Sequence, residues 1–101
     1  MIINDKSVPV HHWDLSLWYR RTFTSAIMAC DMKGYPLMAL WADEKGRESV
    51  LRITFGMEND IRRAGLLMSE IKGQTVRMRK RQIHPPNCQH PVELFDVEIV
   101  S

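Results

Sequence analysis

The stretch Ser49–Ile83, SVLRITFGMENDIRRAGLLMSEIKGQTVRMRKRQI, changes its hydrophobic period twice. From Ser49 to Phe55, the residues Leu51, Ile53 and Phe55 fall on one face while Val50, Arg52 and Thr54 fall on the other, so a strand is expected whose apolar face lines a core. Gly56 breaks that alternation. Asn59 then stands where a helix N-cap belongs, Asp60 lies beside the positive helix end, and Ile61, Gly65, Met68 and Ile71 recur at helical spacing. Gly73, directly after Lys72, is expected to terminate that helix. From Thr75 to Ile83 a period of two returns, with Val76 and Met78 inward and Arg77, Arg79 and Arg81 outward. The stretch therefore reads strand, helix, strand.

Working outward, Leu37 to Ala42 is a second strand, joined to the Ser49 strand by Asp43-Glu44-Lys45-Gly46, a polar hairpin connection whose glycine accepts a positive φ. Ahead of it, Arg20 to Met32 (RRTFTSAIMACDM) is rich in Thr, Phe and Ile without a helix cap. It ends at Lys33-Gly34-Tyr35-Pro36, where Gly and Pro favour a turn, and it is expected to form a long first strand. Trp13, Leu15, Leu17 and Tyr19 fit both a strand and a helix, and residues 1–12 have no sustained periodicity and read as an arm. Past Ile83, the run HPPNCQHP is irregular because Pro85, Pro86 and Pro91 each remove a backbone donor. Val92 to Val100 is the last strand, with Phe95, Val97 and Ile99 alternating against Asp96 and Glu98. The order is five strands with one helix between the third and the fourth.

The segment Ile71-Lys72-Gly73-Gln74-Thr75-Val76-Arg77-Met78, followed by a polar loop and then Leu94-Phe95-Asp96-Val97-Glu98-Ile99, resembles the second half of many OB-fold proteins. There the helix ends at a glycine before a strand at the barrel edge, and an acidic, aliphatic final strand closes on the first. The resemblance is to the superfamily alone. It implies a small five-stranded OB-like barrel over residues 20–100, all-β or α+β in class, with residues 1–19 as an arm or extension. It also implies an outer face of the kind that holds single-stranded nucleic acid. A small α+β sheet with its helix packed on one face keeps every element and changes only the closure.

At 101 residues and 45% hydrophobic the chain suits a single domain, since a chain of this size buries about 60 to 68% of its unfolded surface. Its apolar runs fall short of the ~20 residues that span a bilayer, and Asp5, Lys6 and Pro9 interrupt the segment where a signal peptide needs an apolar block. A cytoplasmic protein is expected. Two cysteines, Cys30 and Cys88, are expected to be reduced thiols rather than a disulfide framework.

The net charge is only +2, but it is unevenly spread. Between Arg52 and Ile83 eight basic residues face three acidic ones, a local excess of +5, whereas from His84 onward Glu93, Asp96 and Glu98 stand without any Lys or Arg. Arg77, Arg79 and Arg81 would lie about 7 Å apart along one strand face, close to the phosphate repeat of an extended single strand. Arg52 and Lys33 would extend that surface in a closed barrel. Sequence-tolerant binding also needs aromatic platforms. Tyr35 and Trp41, flanking the second strand, are the preferred pair, with Trp18 and Tyr19 as further candidates. The competing reading makes the arginines partners of the acidic strand and Trp41 a core residue.

His84, Cys88 and His90 put three ligand-type residues in seven positions, with Cys30 or His11-His12 as a fourth ligand, but the spacing matches no standard zinc motif. The loop's histidines then touch ligand or solvent, and no cofactor is expected. Neither cysteine has an assigned base and orienter, no glycine-rich phosphate loop or G-x-S-x-G elbow occurs, and Asp43 and Glu44 lie in a turn; an enzyme is not expected.

Two function classes follow. The first is a module binding single-stranded DNA or RNA through Arg52, Arg77, Arg79 and Arg81, with Lys33 and Tyr35 or Trp41. The second is a protein-interaction module, an adaptor or small inhibitor, favoured by the low net charge, by seven adaptable methionines and by an acidic last strand that would offer an open edge. Self-association is compatible with both.

Overall fold

A computed structural model describes residues 8–25 and 37–100 of the chain. Strand β1 (Trp18–Phe23) lies at the centre of one antiparallel sheet, with β2 (Leu37–Ala42) and β3 (Glu48–Ile53) on one side and β4 (Thr75–Ile83) and β5 (Val92–Val100) on the other. The order β3-β2-β1-β4-β5 is OB-like, and helix α1 (Phe55–Arg63) falls between β3 and β4. β3 and β5 do not pair, so the barrel is loose rather than closed.

Strand pairing converts sequence alternation into two faces. Phe23 sits opposite Trp41, Trp41 opposite Ser49, and Ala39 opposite Leu51. Arg21 sits opposite Val76 and Met78 opposite Val97. Phe23, Trp41, Leu51, Ile53, Val76 and Met78 all line the core, joined by Met57 and Ile61 of α1. Burial of each large side chain here contributes roughly 1.5–3 kcal/mol. Trp41 is 0% exposed, and its indole Nε1 donates to Ser49 Oγ at 2.9 Å, which satisfies the one polar atom it brings inside.

The β2–β3 turn is built as its composition requires. Asp43 Oδ1 accepts from the backbone N–H of Lys45 (2.9 Å) and of Arg47 (3.0 Å), and Gly46 takes φ +79. The Arg47 backbone donor is the largest cause holding the Asp43 carboxyl below its ordinary range.

Two side contacts bridge the seam that the sheet leaves open between β3 and β5. The N-terminal arm lies parallel to β3: His11 N–H donates to Val50 O and Val50 N–H to Pro9 O, each at 2.8 Å. Helix α1 covers the β5 edge, where Phe95 N–H donates to Asp60 Oδ2 at 3.2 Å.

β2, β4 and β5 occupy the spans their patterns predict, while the bounds of the third strand, the helix and the first strand need correction. The third strand stops at Ile53 and Phe55 begins the helix, 70% exposed, instead of extending the core face. The helix starts earlier than Asn59: Thr54 has an extended backbone and its Oγ1 accepts from Met57 N–H at 3.2 Å, so the cap forms there and Asn59 lies exposed within the helix. It also ends earlier, because Gly65 adopts φ +100, and Met68–Glu70 forms a separate 3₁₀ turn that Gly73 (φ +86) follows. β1 begins at Trp18 rather than Arg20, since Trp18 and Tyr19 already pair with Arg79 and Met78. β1 also ends at Phe23, with Thr24 and Ser25 beyond it outside the strand; residues 26–32 of the expected first strand, Cys30 among them, and the turn with Lys33 and Tyr35 lie outside the described residues.

Candidate nucleic-acid interface

The outward positions of β4 present Arg77, Arg79 and Arg81 beside β5, with Arg77 opposite Glu98 and Arg79 opposite Asp96. Arg77 Nη1 meets Glu98 Oε1 at 3.0 Å. Arg81 grips Asp96 bidentately, Nε to Oδ2 at 2.7 Å and Nη2 to Oδ1 at 2.9 Å, while Arg79 Nη2 reaches the same Oδ2 at 2.6 Å. Hydrogen bonds from Arg81 chiefly, then Arg79, keep the Asp96 carboxyl below its ordinary range. The acidic strand thus partners the basic one, yet one carboxylate is shared between two guanidinium groups.

Strand β1 completes this face. Trp18 lies opposite Arg79 and Arg20 opposite Arg77, so two arginines confront each other directly across a strand pair, an arrangement that is destabilising in itself. The guanidinium carbons of Arg77 and Arg79 stand 4.8 and 4.7 Å from the Trp18 ring centroid. Arg20 is exposed and its side chain enters no ion pair among the described residues. Four guanidinium groups (Arg20, Arg77, Arg79, Arg81) therefore face two carboxylates (Asp96, Glu98). A groove of about 370 Å³ continues from Trp18 and Arg20 to Lys45 and Arg47 in the β2–β3 turn, where Asp43 and Glu44 also line it.

Not every predicted site residue joins this face. Trp41 offers no ring to the surface because it is the largest fully buried side chain of the core. Tyr19 turns inward, its ring 4.6 Å from His11 and 5.4 Å from Trp13. Arg52 lies on β3 and lines the seam instead of the arginine row, because the open sheet does not bring β3 beside β4. His84, Cys88 and His90 are exposed in the β4–β5 loop, and among the described residues no group of three His, Cys, Asp or Glu side chains is placed to hold a metal ion.

At the seam, a cavity of about 590 Å³ opens between the arm, β3, α1 and the β4–β5 ladder. His11, Trp13, Tyr19 and Trp41 form an edge-to-face aromatic cluster there, with Trp13 also 5.5 Å from Phe95. Burial, aided by the Arg21 and His12 charges, lowers the His11 pKa from 6.5 to about 4, so its ring is neutral at pH 7.

No family model, curated protein or solved structure matches this chain.

The local arrangement alone thus carries the functional reading. Among aromatic candidates, the row position of Trp18 was readable: Trp18, Arg20 and Thr22 alternate with Phe23, and a register that keeps Phe23 on the core face sets that row beside the outward arginines. The Thr22 and Thr75 hydroxyls meet at 2.7 Å on the same face, as that alternation requires. His11 and Trp13 carried no comparable signal, because residues 1–12 lack periodicity and the alternation that begins at Trp13 fits both a strand and a helix.

Proposed function

We propose that this protein is an OB-fold module that binds single-stranded nucleic acid across the outer face of β1, β4 and β5. Arg20, Arg77, Arg79 and Arg81 engage phosphates and Trp18 supplies the stacking surface. The observation that carries this reading is the Trp18 ring held beside Arg77 and Arg79 on a face with more guanidinium groups than carboxylates. Ion pairing does not remove these arginines from use. A guanidinium has five donors, and Arg77 spends a single nitrogen on Glu98, so the carboxylates orient the forks while donors remain for phosphate. The like-charged Arg20 and Arg77 are relieved by an anion between them. Neither DNA nor RNA is distinguished by this chemistry, and a cytoplasmic location belongs to the same reading. Among the described residues no helix is long and apolar enough to cross a membrane.

Fluorescence anisotropy of labelled single-stranded DNA and RNA oligonucleotides at two salt concentrations tests it. Three or four engaged phosphates give a log–log salt slope of about −2 to −3, at roughly −0.7 per phosphate on a single strand. Absence of binding at low salt would overturn the proposal in favour of a protein partner. That second reading is favoured by Ile83 and Val92, which lie opposite one another at the tip of the β4–β5 ladder, 41% and 40% exposed.

A further inference from the structure

The groove of about 370 Å³ beside Trp18 carries charges that the β2–β3 turn does not need for its own shape. That turn is closed internally: Asp43 N–H donates to Arg47 O, Gly46 N–H to Asp43 O, and Arg47 Nε to Asp43 Oδ2 at 2.8 Å. Lys45 contributes only its backbone N–H, to Asp43 Oδ1, and its exposed side chain enters no ion pair among the described residues. From β1 the groove takes Trp18, Arg20 and Arg21. Arg21 is already engaged, with Nη1 donating to Arg20 O at 2.8 Å and its guanidinium carbon 5.2 Å from the Tyr19 ring centroid. The Arg20 side chain has no such engagement among the described residues. Arg47 is balanced by Asp43, so Arg20, Arg21 and Lys45 stand against Glu44 alone, and the groove is net positive without Arg47. Its volume falls within the range of small-ligand sites, roughly 300 to 1,000 Å³.

We infer that this groove is a further subsite for a single nucleic-acid strand, an inference that rests on the outer-face reading. Beyond Trp18 the strand crosses β1 and enters the groove, where Arg20 and Lys45 hold a backbone phosphate. Trp18 lines the groove and also stands beside Arg77 and Arg79, so one strand follows both surfaces without a break. Glu44 repels phosphate and confines it to the Arg20 and Lys45 side. Because the turn is held by its own bonds, it presents Lys45 without rearrangement, which keeps the ordering cost of binding low.

Anisotropy titration of the full chain with fluorescein-labelled octathymidylate over a range of salt concentrations tests the subsite. Lys45→Gln removes the charge but keeps the backbone N–H that Asp43 accepts, so the turn persists. The Gly46 amide resonance, whose N–H donates to Asp43 O, reports that the turn is intact in each variant. Lys45→Gln is expected to weaken binding about two- to fivefold, the upper range for an exposed charge pair, and to reduce the log–log salt slope by about 0.7. Glu44→Gln should strengthen binding by a similar factor. Arg63→Gln, on α1 and not part of the groove lining, controls for net charge and should leave the slope unchanged. Binding that Lys45→Gln weakens no more than Arg63→Gln does overturns the inference and leaves the outer-face interface standing. No binding by the wild-type chain at low salt overturns both.

Discussion

The outer face of β1, β4 and β5 and the seam between β3 and β5 hold aromatic and cationic residues in opposite ways. On the outer face the backbone ladder is continuous over nine residue pairs of β4 and β5, so side chains project in register and remain accessible. At the seam the ladder is missing, and edge-to-face rings together with a few backbone hydrogen bonds hold the edges. Where the backbone supplies the order, side chains are available for a ligand; where side chains supply the order, removing one costs stability. The two tryptophans Trp13 and Trp18 separate these cases.

The largest effect expected is on stability at the seam. Trp13→Ala should cost about 2–4 kcal/mol in urea unfolding, somewhat below the range for a fully buried ring because Trp13 is partly exposed. A loss under about 1 kcal/mol would break the comparison by showing that the side chains do not hold the seam. Trp18→Ala should reverse the pattern: oligonucleotide affinity falls by about 1–3 kcal/mol in anisotropy titrations, and the unfolding midpoint moves little. Equal losses of stability from both variants would erase the distinction.

Asp96→Asn sharpens the outer-face half. It releases Arg79 and Arg81 from their shared carboxylate, so oligonucleotide binding should strengthen and its salt slope steepen by about 0.7 for each additional phosphate that the freed arginines engage. Stability should fall by no more than about 1 kcal/mol, as for other solvent-accessible ion pairs. The remaining effect is read through pH and concerns His11. Its folded pKa, about 4, lies below the ordinary 6.5, so the unfolded chain takes up the proton first as pH falls. Stability should therefore decline between about pH 6.5 and 4 and be insensitive to this group above that window. His11→Phe should flatten that part of the profile in pH-dependent thermal unfolding; an unchanged decline would place its cause elsewhere.

The same contrast governs what could be read from the residues alone. Strands β2, β4 and β5 were legible because turn residues bound them or because apolar and charged positions alternate, as with Val76 and Met78 against Arg77 and Arg79. The helix boundaries were misplaced because two other local signals act first: Thr54 caps the Met57 N–H ahead of Asn59, and Gly65 takes a positive φ ahead of Gly73. The outward position of the arginine row and its acidic partners were both legible, since Arg77, Arg79 and Arg81 alternate against Val76 and Met78 and pair with Asp96 and Glu98. Trp41 was misassigned as a surface platform because position on a strand does not reveal which of its two faces a residue occupies. The seam was illegible for a different reason. His11, Trp13 and Phe95 meet only once the sheet has curled, and no periodicity within the arm encodes that meeting.

The arm's bonds to Val50 also set an order in time. Hairpins β2–β3 and β4–β5 join neighbours in the chain, whereas Trp13 meets Phe95 across most of its length. Loop-closure entropy rises with the length enclosed, so the hairpins can form first and Trp13 packs against Phe95 last. What docks last on few bonds is also first to release: the Val50 amide, held by Pro9, should exchange its hydrogen for deuterium well ahead of Val76 and Met78 in the interior of the sheet.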